Sequence, residues 1–286
     1  MNKVGDNTLE ALTSYFVKEL ESVVGIREAK LFFDRISEEV LGYAKTDRIL
    51  NKSIRLSESQ ILDVLYKIKE LKKGRPLSYV IGFQHFFGLS IPVAEGVLIP
   101  RPETEELVDW VLEESRTKIS LLDVCSGSGC ISLALKSKRP TWQIKGLDVS
   151  PEAVNQSKSN ARLLGLACEF SLLDILKSES IGKEEYDIIV SNPPYVLNSE
   201  QVGMQSSVHD FEPHVALFVT DDDPLLFYRK IGVLAFSALK MKGSWFFEIN
   251  ERFGKEVSEL LISLGFSKVE LQQDLQGKDR MVKAIK

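Results

Sequence analysis

The sequence predicts an α/β protein, a doubly wound seven-stranded sheet preceded by a small all-helical N-terminal domain and a β-hairpin connector. Three observations predict it. From residue 119 onward, short β-branched runs alternate with segments of helical period, the pattern of a parallel sheet with crossover helices. Before residue 80 the apolar period is helical throughout. Between these regions, residues 84–93 are short, aromatic and β-branched with turn residues inside, which reads as a hairpin or a pair of short strands. At 286 residues the chain exceeds the common single-domain length of about 100–150. The boundaries expected are 1–80 for the helical domain, 81–104 for the connector and 105–286 for the sheet domain.

Leu9, Leu12, Phe16 and Leu20 are spaced to share one helix face, and Ala29, Phe32, Ile36 and Val40 repeat that spacing. Ser57 and Gln60 suit a capping box ahead of a third helix carrying Ile61, Leu62, Val64, Leu65, Ile68 and Leu71. The aromatics of this region, Phe32, Phe33 and Tyr66 among them, are expected to pack in its core. Gly74 and Pro76 end the third helix, and Lys72, Lys73 and Arg75 suit its C-terminal dipole. Pro100 and Pro102 force an extended stretch before a helix that opens at Glu103 or Thr104 and covers 106–114. The strands expected next are 119–124, 143–148, 168–173, 187–191, 244–249, 267–272 and 280–285. The helices among them are 130–137, 151–164, 224–239 and 252–264.

Composition excludes several classes. Apolar residues make up 44% and charged residues 27%, which rules out a disordered or fibrous chain. No apolar run approaches the length of a membrane span, and the first residues lack the basic-then-apolar layout of a signal peptide. Three cysteines, Cys125, Cys130 and Cys168, make no metal-binding spacing and suit a reducing compartment, so a cytoplasmic protein without disulfide or zinc is expected. Residues 1–80 carry 14 Lys+Arg against 12 Asp+Glu, and the remainder carry 22 against 29. Stable nucleic-acid binding is not expected of such a balance, because it rests on clustered basic residues.

Two segments carry chemistry. Residues 121–130, Leu-Leu-Asp-Val-Cys-Ser-Gly-Ser-Gly-Cys, run from a strand through a glycine-rich turn into a helix, and such a turn lets the backbone approach a ligand closely. It is not the three-glycine dinucleotide fingerprint, since Ser132 stands where the third glycine or alanine belongs. Asp148 ends the next strand, where a carboxylate can accept both hydroxyls of a ribose. No P-loop occurs, so a nucleoside ligand without a pyrophosphate fits best. The second segment is Asn192-Pro193-Pro194-Tyr195, directly after the apolar run 186–190. Prolines end the strand at Asn192, and a rigid turn at the carboxyl end of a buried strand is where open α/β sheets bind ligands. The alternative is a strand terminator with a surface asparagine.

Asp123 through Gly129, then Asp148, then Asp174, then Asn192-Pro193-Pro194-Tyr195 resemble the class I S-adenosylmethionine-dependent methyltransferases that act on planar nitrogens. Residues 75–82, 98–105 and 274–280 narrow the resemblance to the HemK/PrmC family, the peptide chain release factor glutamine methyltransferases. It covers roughly residues 72–286 in motif order and spacing. The resemblance implies a Rossmann-like seven-stranded sheet and transfer of a methyl group from S-adenosyl-L-methionine, released as S-adenosyl-L-homocysteine. The acceptor it implies is the side-chain N5 of the glutamine in the Gly-Gly-Gln motif of class 1 release factors. A nucleic-acid amino methyltransferase, on adenine N6 or guanine N2, is the second reading, since the same clamp suits any planar NH2. A monomer with the helical domain recognising the substrate is expected.

The cofactor-binding residues so implied are Cys125, Ser126, Gly127, Ser128, Gly129, Asp148, Asp174, Ile175 and Asn192, and the catalytic ones Asn192, Pro193, Pro194 and Tyr195. The chain departs from the family at Cys125, often glycine, and at Ile175, sometimes aromatic. Asp174 has an alternative role as a cap for the following turn, and Arg101, Glu103 and Thr104 either close over the cofactor or brace a loop. Mechanistically, Asn192 Oδ1 and the Pro193 carbonyl would accept the two N–H bonds of the substrate amide, with Tyr195 packed over its plane. His85, His209 and His214 are expected to be structural.

Overall fold

The computed structural model describes residues 6–51 and 53–286. They form two compact units, one holding the residues up to Gly82 together with Ser206–Phe211, the other Phe83–Gln205 and Glu212–Lys286. The start of the chain, residues 1–5, whose composition bore on the signal-peptide expectation, lies outside the described residues. No helix among the described residues is long and apolar enough to cross a membrane.

The first unit is built from α1 (Leu9–Val24), α2 (Ile26–Glu39), α3 (Lys45–Leu50), α4 (Glu58–Leu71) and α5 (Leu77–Ile81). Thr8 caps α1 by accepting Ala11 N at 3.2 Å, and the buried residues of that helix are the expected Leu9, Leu12, Phe16 and Leu20. Ser57 and Gln60 form the reciprocal capping box of α4. On α2 the phase differs from expectation: Ala29, Phe33, Ile36 and Ser37 are buried, while Phe32 and Val40 only flank the core. The helix ends at Glu39, which takes Val40 out of the register that the spacing implied. Tyr66, expected in the core, is 60% exposed. It falls on the face of α4 opposite Val64, Ile68 and Leu71, all buried.

The second unit opens with the hairpin β1 (Phe83–Phe86) and β2 (Leu89–Pro92), paired with Phe86 opposite Leu89. Its two-residue turn, Phe87 and Gly88, has φ of 49° and 78°, the doubly positive geometry that matches the twist of tight hairpins. Then follow α6 (Glu103–Leu112), β3 (Ser120–Val124), α7 (Cys130–Lys138), β4 (Gln143–Asp148), α8 (Pro151–Leu164), β5 (Glu169–Leu172), β6 (Tyr186–Ser191) and β7 (Val196–Leu197). After a 3-10 turn come α9 (Ser206–Phe211), part of the first unit, α10 (His214–Leu217) and β8 (Phe218–Val219). The chain finishes with α11 (Leu226–Ala238), β9 (Leu239–Glu248), α12 (Gly254–Ser263), β10 (Lys268–Gln273) and β11 (Asp279–Ile285).

Seven strands form the main sheet in the order β10-β11-β9-β6-β3-β4-β5, in which β11 runs antiparallel to both of its neighbours and the other six strands run in one direction. Strand period two divides its side chains between two cores. Leu121, Ile188, Val190 and Phe246 face one, shared with α6, α7 and α8. Leu122, Ile189, Trp245 and Phe247 face the other, shared with α11 and α12. This is the doubly wound arrangement that the alternation predicted. Glycine is required where β4 lies under β5, since a Cβ on Gly146 would fall 2.4 Å from Phe170 Cδ1.

Candidate active site

Strand order fixes where the site lies. From β3 the chain passes to β4 and β5 on one side, then crosses to β6 on the other. Val124 at the end of β3 is level with both Leu147 and Ser191. The segments leaving these strands therefore meet at the switch point, outside the carboxyl ends, where doubly wound sheets form a crevice. A cavity there is lined by Cys125, Gly127, Asp148, Asp174, Ile175, Asn192 and Pro194, with Val97, Leu98 and Phe227 among its apolar walls. Ser126, Ser128, Gly129, Pro193 and Tyr195 do not line it.

The turn after β3 is held in left-handed geometry at Cys125, Gly127 and Gly129, with φ of 64°, 54° and 79°. For Cys125 that geometry costs about 1–2 kcal/mol, a cost that glycine, without a Cβ, would not carry. Gly129 caps α7, and a Cβ there would stand 2.8 Å from Phe170 Cζ. A Cβ on Gly127 would meet nothing within 4 Å, so this wall is bare backbone open to a ligand. Beneath the turn Asp123 is fully buried; burial pushes its carboxyl up to about 7, against the Ser132 hydroxyl that donates to Oδ2 at 2.7 Å.

Asp148 is fixed by backbone donors on both sides. Gly127 N donates to Oδ2 at 2.8 Å and Ser150 N to Oδ1 at 2.9 Å. Burial raises its pKa, and these donors oppose the rise. Each carboxylate oxygen keeps a second lone pair for a ligand. Asp174 accepts Leu176 N at 3.0 Å and pairs with Lys177 at 3.0 Å, which holds its carboxyl below the ordinary value. It thus braces its own turn as well as lining the cavity. Ile175 is buried and shares its packing with the core under α11.

At the end of β6, Trp245 Nε1 donates to Ser191 Oγ at 3.0 Å and locks the strand end in place. Asn192 follows, its Nδ2 donating to Thr104 Oγ1 at 3.3 Å. That bond engages one of the two amide N–H groups and leaves Oδ1 as the acceptor end. Tyr195 turns away from the cavity: its ring packs against the core under α11, its hydroxyl donates to Glu248 Oε2 at 3.3 Å, and Asn250 Nδ2 donates to its carbonyl at 3.2 Å. Burial, then the Glu248 charge, raises the pKa of its phenol. It anchors the turn instead of forming a wall of this cavity.

Four residues of this region escaped sequence reasoning or were left undecided by it. Thr104 orients Asn192, while Glu248 and Asn250 hold Tyr195. Glu212 is the fourth: Arg101 Nη2 donates to its Oε1 at 2.7 Å and Ile99 N to its Oε2 at 3.1 Å. Arg101 is thus a loop brace. The signal for Glu248 was available as a single charge closing the apolar run 245–247; nothing local marks Glu212 or Asn250. With the Glu212 side chain 1% exposed and that of Arg101 32% exposed, Arg101→Ala leaves a buried carboxylate short of its counter-ion. We expect a loss of about 2–4 kcal/mol in urea unfolding, the breaking of a buried pair discounted for partial exposure of Arg101. Glu212→Gln will cost less, because the released guanidinium reaches water.

The chain matches the family model described as Methyltransferase small domain over residues 104–210. It is 41% identical over 273 residues to the release factor glutamine methyltransferase of Flavobacterium psychrophilum, covering 94% of this chain and 95% of that protein. It is 36% identical over 276 residues to the protein of the same name from Bacteroides thetaiotaomicron, covering 96% and 99%. Among solved structures, the hMettl16 catalytic domain in complex with MAT2A 3'UTR hairpin 6 aligns over 80% of this chain and 81% of that one, with a TM-score of 0.53 at 17% identity. That likeness concerns the fold alone. Relatives matched over nearly their whole length carry the stronger statement: the chain belongs to the release factor glutamine methyltransferase family.

Proposed function

We propose that this protein transfers a methyl group from S-adenosyl-L-methionine to the side-chain N5 of the glutamine in the Gly-Gly-Gln motif of class 1 peptide chain release factors, with S-adenosyl-L-homocysteine as the other product. The observation that carries the reading is the orientation of Asn192: its Nδ2 is engaged by Thr104, so Oδ1 is left to accept from a substrate N–H beside the cavity. In this reading residues 1–80 recognise the release factor, 81–104 connect, and 105–286 carry the chemistry. The enzyme acts as a cytoplasmic monomer without stable nucleic-acid binding.

The cavity fits the cofactor. Asp148 offers free lone pairs for ribose hydroxyls, and the bare backbone at Gly127 admits close approach of the sugar and methionine end. Ile175 and its apolar neighbours suit an adenine ring, with Asp174 at its edge. Cys125 through Gly129 and Asn192 complete the set. Ser126, Ser128 and Gly129 contribute by shaping the turn. When bound, S-adenosyl-L-methionine supplies an electrophilic methyl group on a sulfonium.

A carboxamide nitrogen is a poor nucleophile, because its lone pair is delocalised into the carbonyl, as the amide rotation barrier of about 18–20 kcal/mol attests. Asn192 Oδ1 and the Pro193 carbonyl accept its two N–H bonds, hold its plane and stabilise positive charge as it grows on nitrogen. Pro193 and Pro194 are buried and rigid, so the acceptors are set before substrate arrives. Positioning of this kind supplies up to about 7–11 kcal/mol in favourable intramolecular models. The proton leaves to water after transfer, and no strong base is required.

The test is incubation with methyl-labelled S-adenosyl-L-methionine and either a class 1 release factor or nucleic acid. Label in the release factor glutamine is the expected result. Label only in RNA or DNA would move the assignment to the amino-methyltransferase reading, which the acidic balance of residues 81–286 disfavours.

A further inference from the structure

We infer that Glu248 is a positioning residue for methyl transfer: as a carboxylate it fixes both ends of the Asn192-Pro193-Pro194-Tyr195 turn, Tyr195 directly and Asn192 through Thr104. The inference rests on the amide-clamp reading above. Glu248 closes β9, the strand beside β6 in the sheet, and is 1% exposed. Its Oε2 accepts the Tyr195 hydroxyl at 3.3 Å, while Oε1 is buried without a hydrogen-bond partner. Thr104 is likewise buried, and its oxygen already accepts from Asn192 Nδ2. The hydroxyl proton of Thr104 therefore needs an acceptor, and the Glu248 carboxylate is the neighbour whose charge that hydroxyl stabilises.

The consequence is one of hydrogen-bond direction. A carboxylate only accepts, so an ionised Glu248 draws the protons of both Thr104 and Tyr195 toward itself. The Thr104 oxygen then presents lone pairs to Asn192 Nδ2, and Asn192 must turn Oδ1 toward the substrate. A protonated Glu248 can instead donate to Thr104, whose own hydroxyl proton, no longer accepted by a carboxylate, can turn toward Asn192 and meet Nδ2 donor to donor. Freed of that bond, the Asn192 amide can flip and set N–H against the N–H of the substrate, a repulsive contact.

Ionisation of Glu248 falls where an assay can reach it. Burial pushes its pKa up to about 7, opposed by Thr104, Arg280 and the Tyr195 hydroxyl and reinforced by Glu103. Cys130 on α7 and Tyr228 on α11 are the other titratable groups that feel its charge, and burial raises both above the range concerned. Because the folded pKa is raised, the carboxylate is populated only as pH climbs through that value, so the ordered clamp gains with rising pH.

The test compares wild type with Glu248→Gln, an isostere locked in the neutral form. At saturating substrates, wild-type kcat should rise through a limb near pH 7 and level off above it. In Glu248→Gln it should be lower by about tenfold to 10²-fold and lack that limb, with cofactor Kd changed by no more than about twofold. Thr104→Val should lose kcat similarly, and Thr104→Ser should recover most of it, which carries the test should Glu248→Gln fail to fold. Side-chain amide resonances of Asn192 should titrate with Glu248 in the wild type and not in Thr104→Val, a readout independent of turnover. A Glu248→Gln enzyme that keeps both kcat and the pH limb, or Asn192 resonances that titrate alike with and without the Thr104 hydroxyl, would overturn the inference. If wild type methylates no release factor, the amide-clamp reading fails, while the resonances still decide whether Glu248 and Asn192 are coupled.

Discussion

Asn192→Ala will lower kcat by about 10²–10³-fold or more, the usual cost of removing one group that stabilises transition-state charge, with the fold retained and cofactor affinity lowered far less, because Asn192 is one of many residues lining that cavity. The side chain lost is a short one on a turn that Trp245, Asn250 and two buried prolines hold independently, so the backbone has no reason to move. What disappears is the acceptor that Thr104 orients. The Pro193 carbonyl remains and can bind one N–H, but a single bond leaves the amide free to rotate out of line with the methyl donor. The effect should therefore fall on kcat more than on KM for the release factor. Single-turnover kinetics and calorimetric titration of the cofactor measure the two halves separately. A rate within a few-fold of wild type would remove the clamp from the mechanism.

Asp148→Ala should show the opposite split. Its carboxylate would offer the ribose two charge-assisted hydrogen bonds at about 1.5–3 kcal/mol each, so cofactor Kd should rise by about 10²-fold or more. Removal also strands Gly127 N and Ser150 N, which both donate to it, and the glycine turn loosens. At saturating cofactor, kcat should recover toward the wild-type value, because nothing in the clamp has changed. Calorimetry decides: a Kd that stays within about threefold would show that the sugar is held elsewhere.

The two variants bear on parts of the site that the sequence disclosed unequally. Strand and helix periods were legible because side chains alternate between two cores, and the helix expected at 151–164 is Pro151–Leu164. The segments at the strand ends were equally legible, since glycine, proline and a terminal carboxylate have few other uses there. Contacts between distant segments were not. Glu212 binds Ile99 N and Arg101 from 111 or more positions away, and Thr104 meets Asn192 across a separation of 88. Such pairs leave no local period or spacing. Tyr195 illustrates the same limit: the motif names the residue, but only packing shows its ring in the core and its hydroxyl on Glu248. On α2 the spacing is satisfied at Phe33 as well as at Phe32, both within one turn of Ala29 and Ile36, and only packing shows that Phe33 is the one buried.

Family membership and the amide clamp meet in one claim, that this protein methylates a glutamine amide in release factors. Mass spectrometry of release factors from cells lacking the protein addresses it most directly. The expected result is a Gly-Gly-Gln peptide without its methyl group in those cells, restored by the wild-type chain and not by Asn192→Ala. A fully methylated glutamine in cells lacking the protein would contradict it.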